Sequence, residues 1–319
     1  MSDPANCGAC GEACGLDQVC DSGSCSCPCS DFACFLRTWG GAGGQNGQFR
    51  DPAALDVAAD GTLYVADSNN HRIQVFAADG TYIRQWGSQG SNAGQFREPA
   101  GVAIAPNGDV YVTEITGNRV QYFTAAGVHK GTWGQTGTGN GRFQDPNGIA
   151  VAADGTVYVA DRQNGRVQYF TADGNYLGQW GNSGPSNTQL NVPTDVAVAA
   201  NGNVYVTDAV VDLVKYYTAT GAFIGSWGGA GSGNGRLNGP SEVDIADDGT
   251  VFIGEAENRR IQAFGPTGAF LGVWGRSGTG NGEFQFDEAI GLSVAPQGTI
   301  YVSEGGANSR VQAFCVTLP

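Results

Sequence analysis

Lysine, histidine and methionine are nearly absent from this chain of 319 residues, which holds only Lys130 and Lys215, His71 and His129, and Met1. Acidic residues outnumber basic ones by 30 to 16, for a formal net charge of −14. Such a balance lacks the basic footprint that phosphate backbones demand, so nucleic acid and anionic membrane are excluded as expected partners. No apolar run approaches the roughly 20 residues of a membrane-spanning helix, and no stretch keeps a sustained helical period. Two histidines on opposite faces of a strand meander cannot share a metal within one subunit. No serine or cysteine stands in readable register with a histidine and an acid, which leaves nucleophilic catalysis without a sequence basis. The absence of Cys-x-x-Cys-His removes covalent haem attachment.

What the chain does have is a ruler. Trp39, Trp86, Trp133, Trp180, Trp227 and Trp274 stand at a constant interval of 47 residues. Phe49, Phe96, Phe143, Leu190, Leu237 and Phe284 keep the same step, as do Pro52, Pro99, Pro146, Pro193 and Pro240. A fixed period of this length signals a solenoid, propeller or array. Within each repeat apolar residues alternate as strands require, for example Leu55 and Val57, Leu63 and Val65, Ile73 and Val75. Asp60-Gly61 and Asp79-Gly80 supply tight hairpin turns between them. The unit is a four-stranded antiparallel meander with no core of its own, so the units must stack, and radial closure is the known solution. The fold class expected is all-β, a six-bladed β-propeller. Phe35-Leu36-Arg37-Thr38 forms one strand ahead of Trp39, and the last repeat stops after its third strand at Arg310-Val311-Gln312-Ala313-Phe314. Together they complete one blade and hide two sheet edges. By register Cys315 and Cys34 flank the hairpin turn that this blade lacks, so a Cys34–Cys315 disulfide is expected to replace it.

The recurring phrase Gly94-Gln95-Phe96-Arg97-Glu98-Pro99-Ala100-Gly101-Val102-Ala103-Ile104, then Val110-Tyr111-Val112, then Asn118-Arg119-Val120-Gln121-Tyr122-Phe123, resembles NHL repeats. The resemblance runs from residue 35 to 319. It implies a propeller whose relatives serve as sensors, ligand-binding scaffolds, RNA-binding modules and, in a few cases, enzymes, so it does not name a function. The multi-histidine zinc site of similar peptide-amidating lyases has no counterpart here. Lactonase-type and paraoxonase-type propellers hold calcium at a channel mouth with Asn, Asp and Glu. The corresponding positions just after the register proline read Ala53-Ala54, Ala100-Gly101, Asn147-Gly148, Thr194-Asp195 and Ser241-Glu242, and Asp287-Glu288 in the last blade. The resemblance thus points to Asn147, Asp195, Glu242, Asp287 and Glu288 as candidate ligands for Ca2+, an ion suited to oxygen donors from several blades. The competing expectation is that these groups merely hydrate the channel.

Residues 1–34 form a second unit. Cys7, Cys10, Cys14, Cys20, Cys25, Cys27, Cys29 and Cys34 crowd a segment too polar to build a core without covalent staples. Asn6-Cys7-Gly8-Ala9-Cys10-Gly11-Glu12-Ala13-Cys14 is similar to small cysteine-rich modules of secreted bacterial proteins. Disulfides are expected over zinc or an iron-sulfur cluster, although Cys7-x-x-Cys10 alone would suit a metal. Pairing Cys34 with Cys315 leaves an odd number, with Cys29 expected to be the one left over. No signal-peptide pattern opens the chain, so an extracellular location is expected from cysteine usage alone.

An acid follows each second strand, as Asp67, Glu114, Asp161, Asp208, Glu255 and Glu304, and Arg72, Arg119, Arg166 and Arg260 follow five positions later in four blades. Repetition indicates a loop-bracing ion pair rather than a ring of cation ligands. In blade four Leu213 takes the arginine's place, so Asp208 and Asp212 are expected to lack that partner. The tryptophans are expected to pack against the adjoining loop or blade in preference to stacking sugars. The functional expectation is an extracellular binding or assembly protein with no certain cofactor. Its propeller would present loops to protein subunits, a small molecule or a glycan, and its cysteine-rich segment would mediate homo-oligomerisation or attachment. The alternative is a calcium-dependent, lactonase-like hydrolase, and an enzyme is the less expected of the two.

Overall fold

The computed structural model describes residues 19–21, 24–26, 32–184, 186, 188–285 and 290–316. Six four-stranded antiparallel sheets follow one another around a ring, with a two-stranded ribbon, Val19–Asp21 and Ser24–Ser26, in the N-terminal segment. In blade one the strands run outward as Pro52–Val57, Leu63–Asp67, Arg72–Phe76 and Tyr82–Trp86. The last blade is composite. Ile290–Val294, Thr299–Glu304 and Arg310–Val316 come from the C-terminal end, and Ala33–Gly40 from the N-terminal end supplies the outermost strand. In that pairing Cys315 lies directly opposite Cys34, within bonding reach.

The core is not inside the blades but between them. Each of six apolar clusters draws on two neighbouring blades, such as Tyr64, Ala66, Ile73 and Val75 of blade one with Val102, Val110, Val112 and Phe123 of blade two. Burial therefore stabilises the stack rather than any single repeat, which is why the units come as a closed set.

Two side chains weld each blade to the next one at its rim. Trp133 lies flat on Gly174, in the outer hairpin turn of blade three, where φ is +83° and an added Cβ would fall 2.5 Å from the indole. Tyr111 Oη donates to Ala172 O of the same turn at 3.0 Å. Trp39 on Gly80, Trp86 on Gly127, Trp180 on Gly221 and Trp227 on Gly268 repeat the contact. The indoles are thus spent on blade packing, as the regular spacing led one to expect. At the seam the outer turn is missing, and the sequence departs from the repeat to suit. Phe252 stands where the other blades use a tyrosine, and Trp274 meets the Phe32 and Phe314 rings at 6.0 and 6.1 Å.

Phe32 does more than cover Trp274. In blades two to four the outermost strand carries Gly131, Gly178 or Gly225, each overlaid by the ring of Tyr122, Tyr169 or Tyr216 from the strand beside it. Blade five has Ala263 at the tyrosine position, and there Phe32 lies over Gly272 instead. The N-terminal segment is in this way plugged into the outer edge of blade five two residues before Cys34.

Candidate functional site

The acids that end the second strands are all fully buried, and each is the hub of a clamp on the loop leading into its blade. In blade three Arg166 Nε donates to Asp161 Oδ2 at 2.7 Å, and its two Nη atoms donate to Thr138 O, Gln179 Oε1, Gly139 O and Arg142 O at 2.6 to 2.9 Å. All five guanidinium N–H groups are used. Asp161 in turn accepts from Gln144 N, Asn164 Nδ2 and Gln168 Nε2. The glycine-rich loop thus turns its carbonyls inward around the arginine. Blade six follows suit with Arg310 and Glu304 at 2.8 Å, spaced by six residues instead of five.

In blade four Asp208 lacks the arginine, as expected from Leu213, but it does not lack a cation. Lys215, two residues beyond Leu213, takes the position held elsewhere by glutamine and reaches Asp208 Oδ2 at 2.9 Å and Gln189 O at 2.5 Å. Strand alternation explains it, because both positions point to the same side of the sheet. Asp212 accepts from Gly239 N at 2.8 Å.

The central channel is the place where carboxyls gather without arginines. A cavity of about 130 Å³ is walled by Asp195 and Glu242, joined by Asp56, Asp244 and Ser293, with Gly101, Ala103, Ile149 and Ala150 on the side of blades two and three. Of the five candidate channel-mouth ligands, the ring brings Asp195 and Glu242 together. Asn147 contributes its backbone carbonyl, which accepts from Thr113 Oγ1 at 2.5 Å. Asp287 and Glu288 lie outside the described residues, as does Cys29. Among the described residues no group of three or more His, Cys, Asp or Glu is placed to hold a metal ion.

Asp56 and Asp244 escaped the sequence reading, although a signal existed. They stand two residues beyond the positions chosen, hence on the same face of the innermost strand, where blades two to four carry Ala103, Ala150 and Ala197. Three aspartates prove to be staples between blades. Asp56 Oδ2 accepts from Ile104 N at 2.7 Å, Asp195 Oδ2 from Val243 N at 2.9 Å and Asp244 Oδ2 from Val294 N at 2.7 Å. Ser293 Oγ ties the last blade to the first by donating to Asp56 Oδ1 at 3.1 Å. Innermost strands of neighbouring blades share no sheet, so these side chains tie them where backbone pairing cannot.

Burial pushes the carboxyls of Asp56 and Asp244 up to about 6 and about 7, against the pull of their backbone donors. Asp195 is raised by burial as well. Glu242 goes well above the ordinary carboxyl range, first through burial and then through the charge of Asp195 beside it. The two carboxyls lie side by side in the channel, and each bears on the other's ionisation. Among the described channel acids Glu242 has no backbone donor among its partners. The volume sets a limit on what the channel can hold. At about 130 Å³ the cavity is small beside the roughly 300–1,000 Å³ usual for small-molecule sites.

His71 and His129 occupy opposite ends of blades one and two. His71 closes a turn in left-handed conformation at φ 54°, and His129 opens the outermost strand with Nε2 2.8 Å from Thr132 Oγ1. Among the described residues no helix is long and apolar enough to cross a membrane.

Residues 49–76, 96–123 and 143–170 match the family model of the NHL repeat. No curated protein matches this protein in sequence. Among solved structures, virginiamycin B lyase from Staphylococcus aureus is 12% identical, with 88% of this chain and 99% of that one covered and a TM-score of 0.59. A gluconolactonase from Xanthomonas campestris is 14% identical over 85% and 87% of the two chains, with a TM-score of 0.62. A nidogen/laminin complex is 15% identical over 70% and 79%, with a TM-score of 0.53. At such identities likeness carries the fold and not the activity. Repeat match, strand order and ring closure agree: the chain carries NHL repeats in its first three blades and has the six-bladed β-propeller fold.

Proposed function

We propose that this is an extracellular binding and assembly protein, in which a stiff propeller presents its loops for protein or ligand interaction and the cysteine-rich segment mediates attachment or self-association. The observation that carries the reading is the junction of the two parts. Phe32 sits over Gly272 and Trp274, and Cys34 opposes Cys315, so the segment enters the ring through a fixed strand instead of a free linker. A load or partner on the segment is thereby transmitted to the whole propeller. The channel supports the same reading, since its aspartates are engaged in joining blades and its volume falls below that of ordinary substrate sites.

Light scattering on the full-length protein and on a truncated form beginning at Asp31 tests the assembly role. The full-length protein is expected to have a multimeric mass and the truncated one a monomeric mass. Equal monomer masses would end the proposal. Peptide mapping of non-reduced protein addresses the junction separately. Residues 34 and 315 are expected in one disulfide-linked peptide pair, and recovery of both as alkylated thiols without reduction would remove the covalent lock.

A further inference from the structure

Four of the loops between blades expose an asparagine followed by glycine, namely Asn46-Gly47, Asn140-Gly141, Asn234-Gly235 and Asn281-Gly282. This dipeptide is the one most prone to spontaneous hydrolytic deamidation, because no Cβ shields the glycine nitrogen. That nitrogen loses its proton and attacks the asparagine Cγ. A ring N–Cγ bond forms, the bond from Cγ to Nδ2 breaks, and Nδ2 leaves as ammonia. Water then opens the succinimide to aspartate or isoaspartate.

In all four loops the glycine N–H that must be lost is already occupied. Gly47 N donates to Gln74 Oε1, Gly141 N to Gln168 Oε1, Gly235 N to Gln262 Oε1 and Gly282 N to Gln312 Oε1, each at 2.9 Å. The four glutamines are completely buried. Their orientation is dictated by their other end. Gln168 Nε2 donates to Arg142 O at 2.8 Å and to Asp161 Oδ2 at 3.1 Å, so Oε1 has to face the loop, and the other three repeat the arrangement. We propose that these buried glutamines hold Asn46, Asn140, Asn234 and Asn281 as latent deamidation sites, blocking succinimide formation by keeping the attacking amide protonated and turned into the protein.

The repeats themselves contain two comparisons. In blade two Gln121 holds Gly94 in the same way at 2.9 Å behind Ala93, so the bond is first a loop staple and protects as a consequence. In blade four Lys215 replaces the glutamine. An ammonium accepts no hydrogen bond and cannot hold an amide, and there the sequence reads Asn187-Thr188 in place of Asn-Gly. Glycine is needed in the protected loops because φ lies between +70° and +77° in all four. The loops thus carry a chemically weak dipeptide for conformational reasons, and the blade supplies its guard.

Gln168→Met, which keeps the volume and removes the acceptor, tests this in the full-length protein. After incubation in mildly alkaline buffer, mass spectrometry should find Asn140 deamidating about tenfold faster than in the parent protein, the change expected for loss of one hydrogen bond. Asn234 and Asn281 in the same molecules should keep the parent rate. An unchanged Asn140 would overturn the proposal, and so would equal acceleration at all three sites, which reports unfolding. Because Gln168 also supports Asp161, hydrogen exchange in the unaltered protein provides a second readout. The amides of Gly47, Gly141, Gly235 and Gly282 are expected to be protected, and exchange at the speed of an open loop would overturn the proposal on its own.

Discussion

Arg166→Ala is expected to lower the melting temperature by roughly 10 °C, a shift that corresponds to the 3–5 kcal/mol typical of breaking a buried ion pair by removing one partner. The cause is not the attraction of Arg166 and Asp161 alone. Asp161 would stay buried with its negative charge, and Thr138 O, Gly139 O and Arg142 O would lose donors that no water replaces without opening the loop. Arg166→Lys should fall in between, since an ammonium has three donors and no planar fork to reach four acceptors besides Asp161. Blade four offers the natural comparison. There Lys215 serves two oxygens, and exchanging Leu213→Arg together with Lys215→Gln should rebuild the arrangement of the other blades. Thermal melting followed by circular dichroism checks the order. A loss of less than about 3 °C for Arg166→Ala would mean that the clamp contributes little beyond loop geometry.

Glu242→Gln is expected to stabilise the protein above neutral pH and to flatten its pH dependence. A carboxyl whose folded-state pKa is raised holds its proton in the native state after the unfolded chain has lost it. Stability therefore falls as pH rises across the window between the two values. For Asp56 and Asp244 that window runs from 3.8 to about 6 and from 3.8 to about 7, and Asp195 and Glu242 are shifted in the same direction. Asp60, Asp79, Asp154 and Glu283 are lowered, chiefly by backbone N–H donors, so their contribution is lost only below the ordinary carboxyl range and does not mask the effect. Glutamine keeps the shape of the side chain and can donate to Asp195 without a proton to lose. Urea unfolding at about pH 5 and about pH 8 should show the parent protein less stable at the higher pH, and the variant with a smaller gap and a higher value there. Parallel curves for the two proteins would mean that Glu242 is ordinarily ionised and that water in the channel solvates it.

Much of this architecture was legible before any coordinates. Six tryptophans at one interval, alternation within each repeat, and a lone first strand matched by a three-stranded last repeat dictate a closed ring of four-stranded blades with a composite last blade. Each is a local or periodic property, and the physics of strand pairing and edge hiding leaves little choice. The position of Cys34 against Cys315 follows from the same register, and so does the reading of the repeated acids as loop braces. What the sequence could not supply was convergence. Asp56 and Asp195 are 139 positions apart and come together with Glu242 and Asp244 only because ring closure points one face of every innermost strand at a single axis. Only the fold puts Lys215 in a glutamine's slot beside Asp208, and Phe32 over the glycine that Ala263 leaves uncovered. Periodicity determines which residues face inward, whereas the choice of partner depends on distances across blades, and those exist only once the ring has closed.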